Sequence, residues 1–355
     1  GVPVRKIRDV RGTCFLENRD YVPKFPYDFC GEFDDIKTDK RAFANAYKIQ
    51  SDNQDHIYGK AVAEGYGDKI LVQNPPIPPL TRKELDSVYS LPFMRAPHPI
   101  YASMGGIPGI EEAKFSITHN RGCFGGCNFC TIAAHQGKFI QSRSKESIVD
   151  EVRRLTTLEG FAGNVSDLGA PTANMYRMGG RNRNLCDKCT RQSCLFPRMC
   201  KNLDHSHKDL LELYDAVLAV KGIRNAYIGS GIRYDLFLNE EGYLDETSRP
   251  YLEALITKHT SGRLKVAPEH TQDNVLAAMG KPSFKLFEVL RSKFDEITRQ
   301  HGLRYQLVPY FISGHPGCSM RDMDALSKNK YLKGLYMEQV QDFTPTPMTV
   351  ASVMY

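Results

Sequence analysis

At 355 residues the chain is long enough to bury a sizeable core and to form one large domain or two. A composition of 41% hydrophobic and 25% charged residues is that of an ordinary globular protein, and no run of about 18 apolar residues is present to span a bilayer. The net charge of +6 permits an anionic partner such as nucleic acid without requiring one, since a solvated basic surface accounts for it equally.

Residues 1–12 are charged rather than signal-like, so neither secretion nor a membrane partner is expected. Seven of the ten cysteines fall in two tight groups. In a chain without a signal peptide this favours metal ligation in a reducing compartment, the cytoplasm, over disulfides.

In chain order, residues 1–113 form a first region of short, irregular signals, with prolines at 75, 76, 78 and 79. An amphipathic helix is predicted over 39–50, with Phe43, Tyr47 and Ile49 among its apolar positions. A strand at Leu71-Val72-Gln73-Asn74 should stop at Pro75, which cannot continue a ladder. A short helix over 80–89 carries Thr81 as N-cap and Glu84 three residues on.

A second region, 114–355, alternates strand and helix as parallel βα units do. Strands are predicted at 114–119, 163–168, 223–228, 264–267, 305–311 and 338–343. Helices are predicted at 145–158, with Ser144 as cap, and at 208–220, 249–259, 284–301 and 320–329. A cysteine-rich insertion, 171–205, interrupts the alternation after the second strand. In such α/β folds ligands gather at the C-terminal strand ends.

The first strand runs into Cys123-Phe124-Gly125-Gly126-Cys127-Asn128-Phe129-Cys130, a C-x3-C-x2-C spacing. Thiolates this close can hold an iron–sulfur cluster, and three of them leave one iron of a four-iron cluster open for chemistry. Gly122, Gly125 and Gly126 free the backbone to wrap closely around such a group. Scattered structural cysteines or a zinc half-site are the alternatives.

With the aromatic Phe129 before the last cysteine, the motif is similar to the signature of radical S-adenosylmethionine (SAM) enzymes. The run Arg121-Gly122-Cys123 through Cys130-Thr131-Ile132, followed by His135 through Ser144, resembles the YgiQ family. So do Ser230-Gly231-Ile232-Arg233-Tyr234-Asp235, Lys265-Val266-Ala267-Pro268-Glu269-His270 and Pro309-Tyr310-Phe311-Ile312-Ser313-Gly314-His315-Pro316-Gly317. Val72-Gln73-Asn74-Pro75-Pro76 and the stretch from Pro92 to Pro99 extend the likeness toward the N-terminus.

The resemblance implies a partial (βα)6 radical SAM barrel behind an irregular N-terminal extension. It also implies that the chain is the central portion of a longer protein. Cys123, Cys127 and Cys130 would hold a [4Fe-4S] cluster that binds SAM and takes electrons from a donor such as flavodoxin or ferredoxin. The resulting 5′-deoxyadenosyl radical would abstract hydrogen from a substrate that the resemblance does not identify.

By the same analogy Gly169-Ala170-Pro171 would meet the methionine amino group through backbone carbonyls. Ser230 would bond ribose or carboxylate. Arg233 would clamp the methionine carboxylate, unless it pairs with Asp235. Lys265 and Glu269 would reach ribose or carboxylate. Phe311, Ile312 and Ser313 would face adenine, with Phe129 beside them. His270, His315 and Cys318 are the candidates near substrate, and Gln341, Asp342 and Thr344 would point into the barrel mouth.

Cys186-x2-Cys189-x4-Cys194-x5-Cys200 is a second candidate metal site, for an auxiliary [4Fe-4S] cluster or zinc, with His205 and His207 near enough to substitute. Arg177, Arg181, Arg183 and Arg191 surround it. Cys14 and Cys30 are structural by default. A second function class stays open: a metal-stabilised nucleic-acid-binding module in which both cysteine groups are zinc knuckles. An RNA-modifying radical SAM enzyme would combine the two.

Overall fold

The computed structural model describes residues 3–355, which divide into two compact units. One runs to Pro79 and includes Pro345–Tyr355; the other is Leu80–Thr344. This division does not follow the 113/114 break. Helix α3 (Arg82–Tyr89) packs within the larger unit, against the helix Lys145–Leu155.

The smaller unit is not irregular. It holds β1 (Cys14–Asn18), β2 (Tyr27–Glu32), β3 (Ala61–Tyr66) and β4 (Lys69–Gln73) in the order β1-β4-β3-β2. The β2–β3 pair is parallel and the other two are antiparallel. The strand expected at 71–74 is β4, while the buried face of β3 is Ala61, Ala63 and Gly65, too small to register as hydrophobic alternation, which is why the sequence pattern hides that strand. Helix α1 (Phe33–Thr38) leads into α2 (Lys40–Asp52), whose cap Asp39 accepts from the Arg41 and Ala42 amides. Of its expected apolar positions Phe43 is exposed and Tyr47 and Ile49 are half-buried; the residue it buries fully is Ala46.

The larger unit is mixed α/β, with parallel pairing throughout its central strands. β5 (Ser116–Thr118) pairs with β7 (Asp167–Gly169), and β6 (Asn164–Val165) pairs with β8 (Asn225–Ala226). A parallel bridge from Ile232 to Val266 leads on to β9 (Arg263–Glu269), β10 (Gln306–Ser313) and β11 (Gln339–Asp342). All six predicted strands are present, the second of them as the two segments β6 and β7. α3 begins at the capping box of Thr81 and Glu84, and α4 (Lys145–Leu155) begins at Ser144, which accepts from the Ser147 amide.

The remaining predicted helices are α5 (Lys208–Leu218), α6 (Ser248–Lys258), α8 (Lys285–Gln300) and α9 (Met320–Ser327). α7 (Asp273–Met279) was not anticipated. α5, α6, α7 and α8 each bury an apolar stripe in the main core, as α8 does with Leu286, Phe287, Leu290, Phe294 and Ile297. Burial of a Leu or Phe side chain stabilises by roughly 1.5–3 kcal/mol. Among the described residues no helix is long and apolar enough to cross a membrane.

Beneath the end of β5 lies a buried charge network. Arg143, fully buried, donates to Glu151 Oε2 at 2.5 Å and to the Thr118 carbonyl at 2.9 Å. Arg95 donates to the other Glu151 oxygen and to the Lys114 and Ser116 carbonyls. The network therefore fixes the strand from which the first cysteine loop departs.

Candidate functional site

β5 ends at Thr118, and the chain turns through Gly122 into the loop carrying Cys123, Cys127 and Cys130. Two glycines are needed there. Gly122 has φ +90°, and a Cβ on it would lie 2.4 Å from the Phe139 carbonyl oxygen. Gly126 has φ +61°, and its Cβ would lie 2.7 Å from the Gln192 carbonyl oxygen.

The loop is anchored on three sides. The Cys123 amide donates to the Gly137 carbonyl at 3.0 Å. The Asn128 amide donates to the Met279 carbonyl at 2.9 Å, and its side chain donates to the Ala278 carbonyl at 2.8 Å, closing the open end of α7. From the insertion, the Ser193 hydroxyl donates to the Gly125 carbonyl at 2.6 Å, and the Cys194 amide donates to the Phe124 carbonyl at 3.0 Å.

Polar groups converge on the loop's sulfurs. The Gly125 amide donates to Cys123 Sγ at 3.4 Å, and the Thr172 hydroxyl lies in hydrogen-bonding contact with it at 3.4 Å. Arg233 Nη1 donates to Cys127 Sγ at 3.1 Å. Burial raises the Cys123 thiol, opposed by the Arg233 charge and Thr172, and pushes Cys130 up to about 11. These groups suit sulfurs that carry negative charge, as cluster-ligating thiolates do.

The other candidates sort as follows. Gly169, Ala170, Pro171 and Ser230 line one pocket of about 220 Å³ with Asp167, Arg121 and Gln136. The Ser230 hydroxyl is committed to Asp167 Oδ2, while the Gly229 and Ser230 amides donate to Oδ1 at 2.8 and 3.1 Å. Asp167 had no assigned role; its partners lie some 60 residues away in sequence, beyond any local signal. Arg233 spends Nε and Nη2 on Asp235 at 3.0 and 2.5 Å, the ion-pair alternative, so it offers no free fork to a carboxylate.

Glu269 is buried at φ +71°, with Oε2 unpartnered. Burial raises its carboxyl, against the pull of Lys281 and Arg233. Lys265 is exposed. Phe311 and Ile312 are buried in the main core, and the Ser313 hydroxyl donates to Asp342.

His270 and Cys318 meet: Cys318 Sγ lies 3.6 Å from His270 Nε2, while Nδ1 accepts from the Gln272 amide. His315, also buried, has Nε2 unpartnered and meets the edge of Phe129 at 6.1 Å between ring centres. Burial lowers both histidines toward the neutral form. Gln341, Asp342 and Thr344 are exposed.

Cys186, Cys189, Cys194 and Cys200 line a single cavity of about 370 Å³ whose walls include Phe124, Phe139, Ile140, Met178 and Leu203. Gly180 makes room for Cys186, whose sulfur would lie 2.1 Å from a Cβ there. The Asn202 amide nitrogen donates to that sulfur at 3.3 Å. Burial, then the neighbouring Cys200, Cys189 and Cys186, push Cys194 up to about 11.

His205 and His207 do not join these cysteines. His205 faces Asp245 at 3.1 Å, and His207 stacks on Tyr251 at 4.1 Å. Arg177 and Arg183 pair with Asp209 and Asp187, and Arg191 donates to backbone carbonyls. Among the described residues no three His, Cys, Asp or Glu side chains converge on one point.

The family described as Radical SAM N-terminal matches residues 1–116. A UPF0313 protein of Bacteroides thetaiotaomicron is 48% identical over 316 residues, covering 88% of this chain and 51% of that protein. One of Methanocella arvoryzae is 45% identical over 360 residues, covering 100% and 57%. Among solved structures, the radical S-adenosylmethionine methyltransferase TsrM of Kitasatospora setae, with cobalamin and a [4Fe-4S] cluster bound, is 16% identical at TM-score 0.37, over 59% of this chain and 33% of that one. The chain belongs to the UPF0313 family and spans about half the length of the curated relatives it matches.

Proposed function

We propose that the chain is the catalytic portion of a YgiQ-type radical SAM enzyme of the cytoplasm, built on a partial (βα)6 barrel. The observation that carries this reading is the Cys123/Cys127/Cys130 loop. Its backbone is fixed from three neighbouring segments, and two of its three sulfurs receive hydrogen bonds. The barrel reading is supported by the parallel pairings that lead from β5 to β11.

Cys123, Cys127 and Cys130 would hold a [4Fe-4S] cluster. With SAM bound, that group supplies a 5′-deoxyadenosyl radical able to take hydrogen from a substrate. The chain's own residues position and shield. The pocket of Gly169, Ala170, Pro171 and Ser230 would receive the methionine end of SAM, with Asp167 fixing the Ser230 hydroxyl. Glu269, with an unsatisfied buried oxygen, would accept from a ribose hydroxyl or the amino group. His270, His315 and Cys318, grouped beyond Phe129, would line the substrate side, and the neutral histidines could hold or accept a proton there.

Cys186, Cys189, Cys194 and Cys200 would hold a second, auxiliary cluster, supported by their lining one cavity. Flavodoxin or ferredoxin is the class of donor that such centres take electrons from.

The test is anaerobic reconstitution with iron and sulfide, followed by SAM and dithionite. Release of 5′-deoxyadenosine is expected from the unaltered chain and should vanish on Cys123→Ala, Cys127→Ala or Cys130→Ala. Release that persists in those variants would overturn the assignment. Colourless protein carrying zinc alone, with salt-sensitive RNA binding, would point instead to a nucleic-acid-binding module.

A further inference from the structure

We infer that Arg233 is a positioning residue for the cluster, donating a hydrogen bond to the Cys127 sulfur that raises the cluster's reduction potential; this rests on the assignment of Cys123, Cys127 and Cys130 as its ligands. The arginine is held at every point. Asn174, buried, brackets its backbone: Oδ1 accepts from the Arg233 amide at 2.8 Å, and Nδ2 donates to its carbonyl at 2.8 Å. Asp235, two residues on in the same turn, takes Nε and Nη2. Nη1 is left to reach Cys127 Sγ at 3.1 Å.

The loop leaves a gap for that reach. A Cβ on Gly125 would lie 2.5 Å from Nη1 and 3.3 Å from Cys123 Sγ, so the missing side chain at 125 is what lets the guanidinium through. Gly125 is not at positive φ, and space rather than backbone conformation explains it.

The potential of an iron–sulfur cluster follows its net charge and the hydrogen bonds to its sulfurs. Reduction adds one electron, and a buried cation against a ligating sulfur favours the more negative state. Arg233 therefore makes reduction easier. The Asp235 carboxylate, which meets Nε and Nη2 rather than the sulfur, opposes it in part. Removing the two charges must move the potential in opposite directions, which a general loosening of the loop would not do.

The experiment is a redox titration of the anaerobically reconstituted full chain, with dithionite as the one-electron reductant and the electron paramagnetic resonance signal of the reduced cluster as readout. Iron and sulfide are counted first. Arg233→Gln should lower the midpoint by on the order of tenfold in the reduction equilibrium, which is about 59 mV for one electron. Gly125→Ala should lower it by displacing Nη1, and Asp235→Asn should raise it.

Should Arg233→Gln fail to take up a cluster, the opposite signs expected of Gly125→Ala and Asp235→Asn carry the test. Midpoints that stay at the wild-type value, or that shift in the same direction in both, overturn the inference while leaving the cluster in place. Wild-type protein without iron and sulfide overturns the cluster assignment itself.

Discussion

The two cysteine groups lie against one another yet are held in different ways. The first leaves a core strand and is tied down by protein on all sides: Arg143 under β5, Asn128 on the end of α7, Gly122 against Phe139. The second sits in an insertion whose regular structure is the two-residue ladder of Gly179–Gly180 with Leu203–Asp204 and the short helix Arg183–Cys186. Its order comes from a small apolar cluster and from hydrogen bonds that stay mostly within the insertion, as between Arg181 or Asn182 and Asn202, with Ser193 and Cys194 its ties to the first loop. A loop fixed by the core is preorganised for a ligand that does chemistry; a loop with so few anchors takes much of its stability from whatever its thiols bind.

The sharpest way to break this contrast is to damage the platform of the first loop. Arg143→Met leaves the Glu151 carboxylate buried with only Arg95 as counter-charge, and loses the bond to the Thr118 carbonyl. Breaking such a buried pair costs about 3–5 kcal/mol. Chemical denaturation should show that loss, and the iron retained by the first group should fall with it. A change under 1 kcal/mol would mean that the strand end does not depend on the network.

Acid should act at the neck of the insertion. Asn174, near its start, and His207, just after its end, meet at 3.2 Å. Burial pushes the His207 ring down to about 3, whereas an unfolded histidine titrates near 6.5. Between those values the unfolded chain binds the proton and the folded chain does not, so stability falls as pH drops below about 6.5, by at most about 1.4 kcal/mol per unit. Denaturation midpoints at pH 7 and 5.5 should therefore separate more in the wild type than in His207→Gln. Equal separations would sink this account.

The same contrast governs what could be read from the chain. The six strand positions and six of the helices of the larger unit were legible, most of them because their buried stripes are Leu, Ile, Val and Phe at helical or alternating spacing, as in α8, and α3 through its capping box. α7 was missed because its seven residues give barely two turns of pattern, and β3 of the small sheet because Ala and Gly fill its buried face, whereas its neighbour β4, with Ile70 and Val72 buried, matches the strand expected at 71–74. At the site, the cysteine spacings and the Arg233–Asp235 pair were local and visible. What could not be seen joins residues far apart: Asp167 to Ser230, Arg143 to Glu151 and Thr118, and Ser193 to Gly125. Each of these depends on where the fold brings two side chains, which neither periodicity nor spacing encodes.

Ser193 gives the finest test of how the two loops are joined. Its hydroxyl donates to the Gly125 carbonyl at 2.6 Å and accepts from the Leu195 and Phe196 amides at 3.0 and 2.9 Å. Ser193→Ala removes the cross-link while keeping the chain's length and the Cys194-to-Phe124 backbone bond. A neutral hydrogen bond contributes about 0.5–1.5 kcal/mol, so global stability should fall by about 1 kcal/mol. The informative readout is local. Amide exchange and protease cleavage should rise across 183–200 and stay unchanged at 122–130, because the first loop keeps its anchors on Gly137 and α7. Equal loosening of both loops would show that they order as one unit, and the distinction between a core-held and a ligand-held cysteine group would not stand.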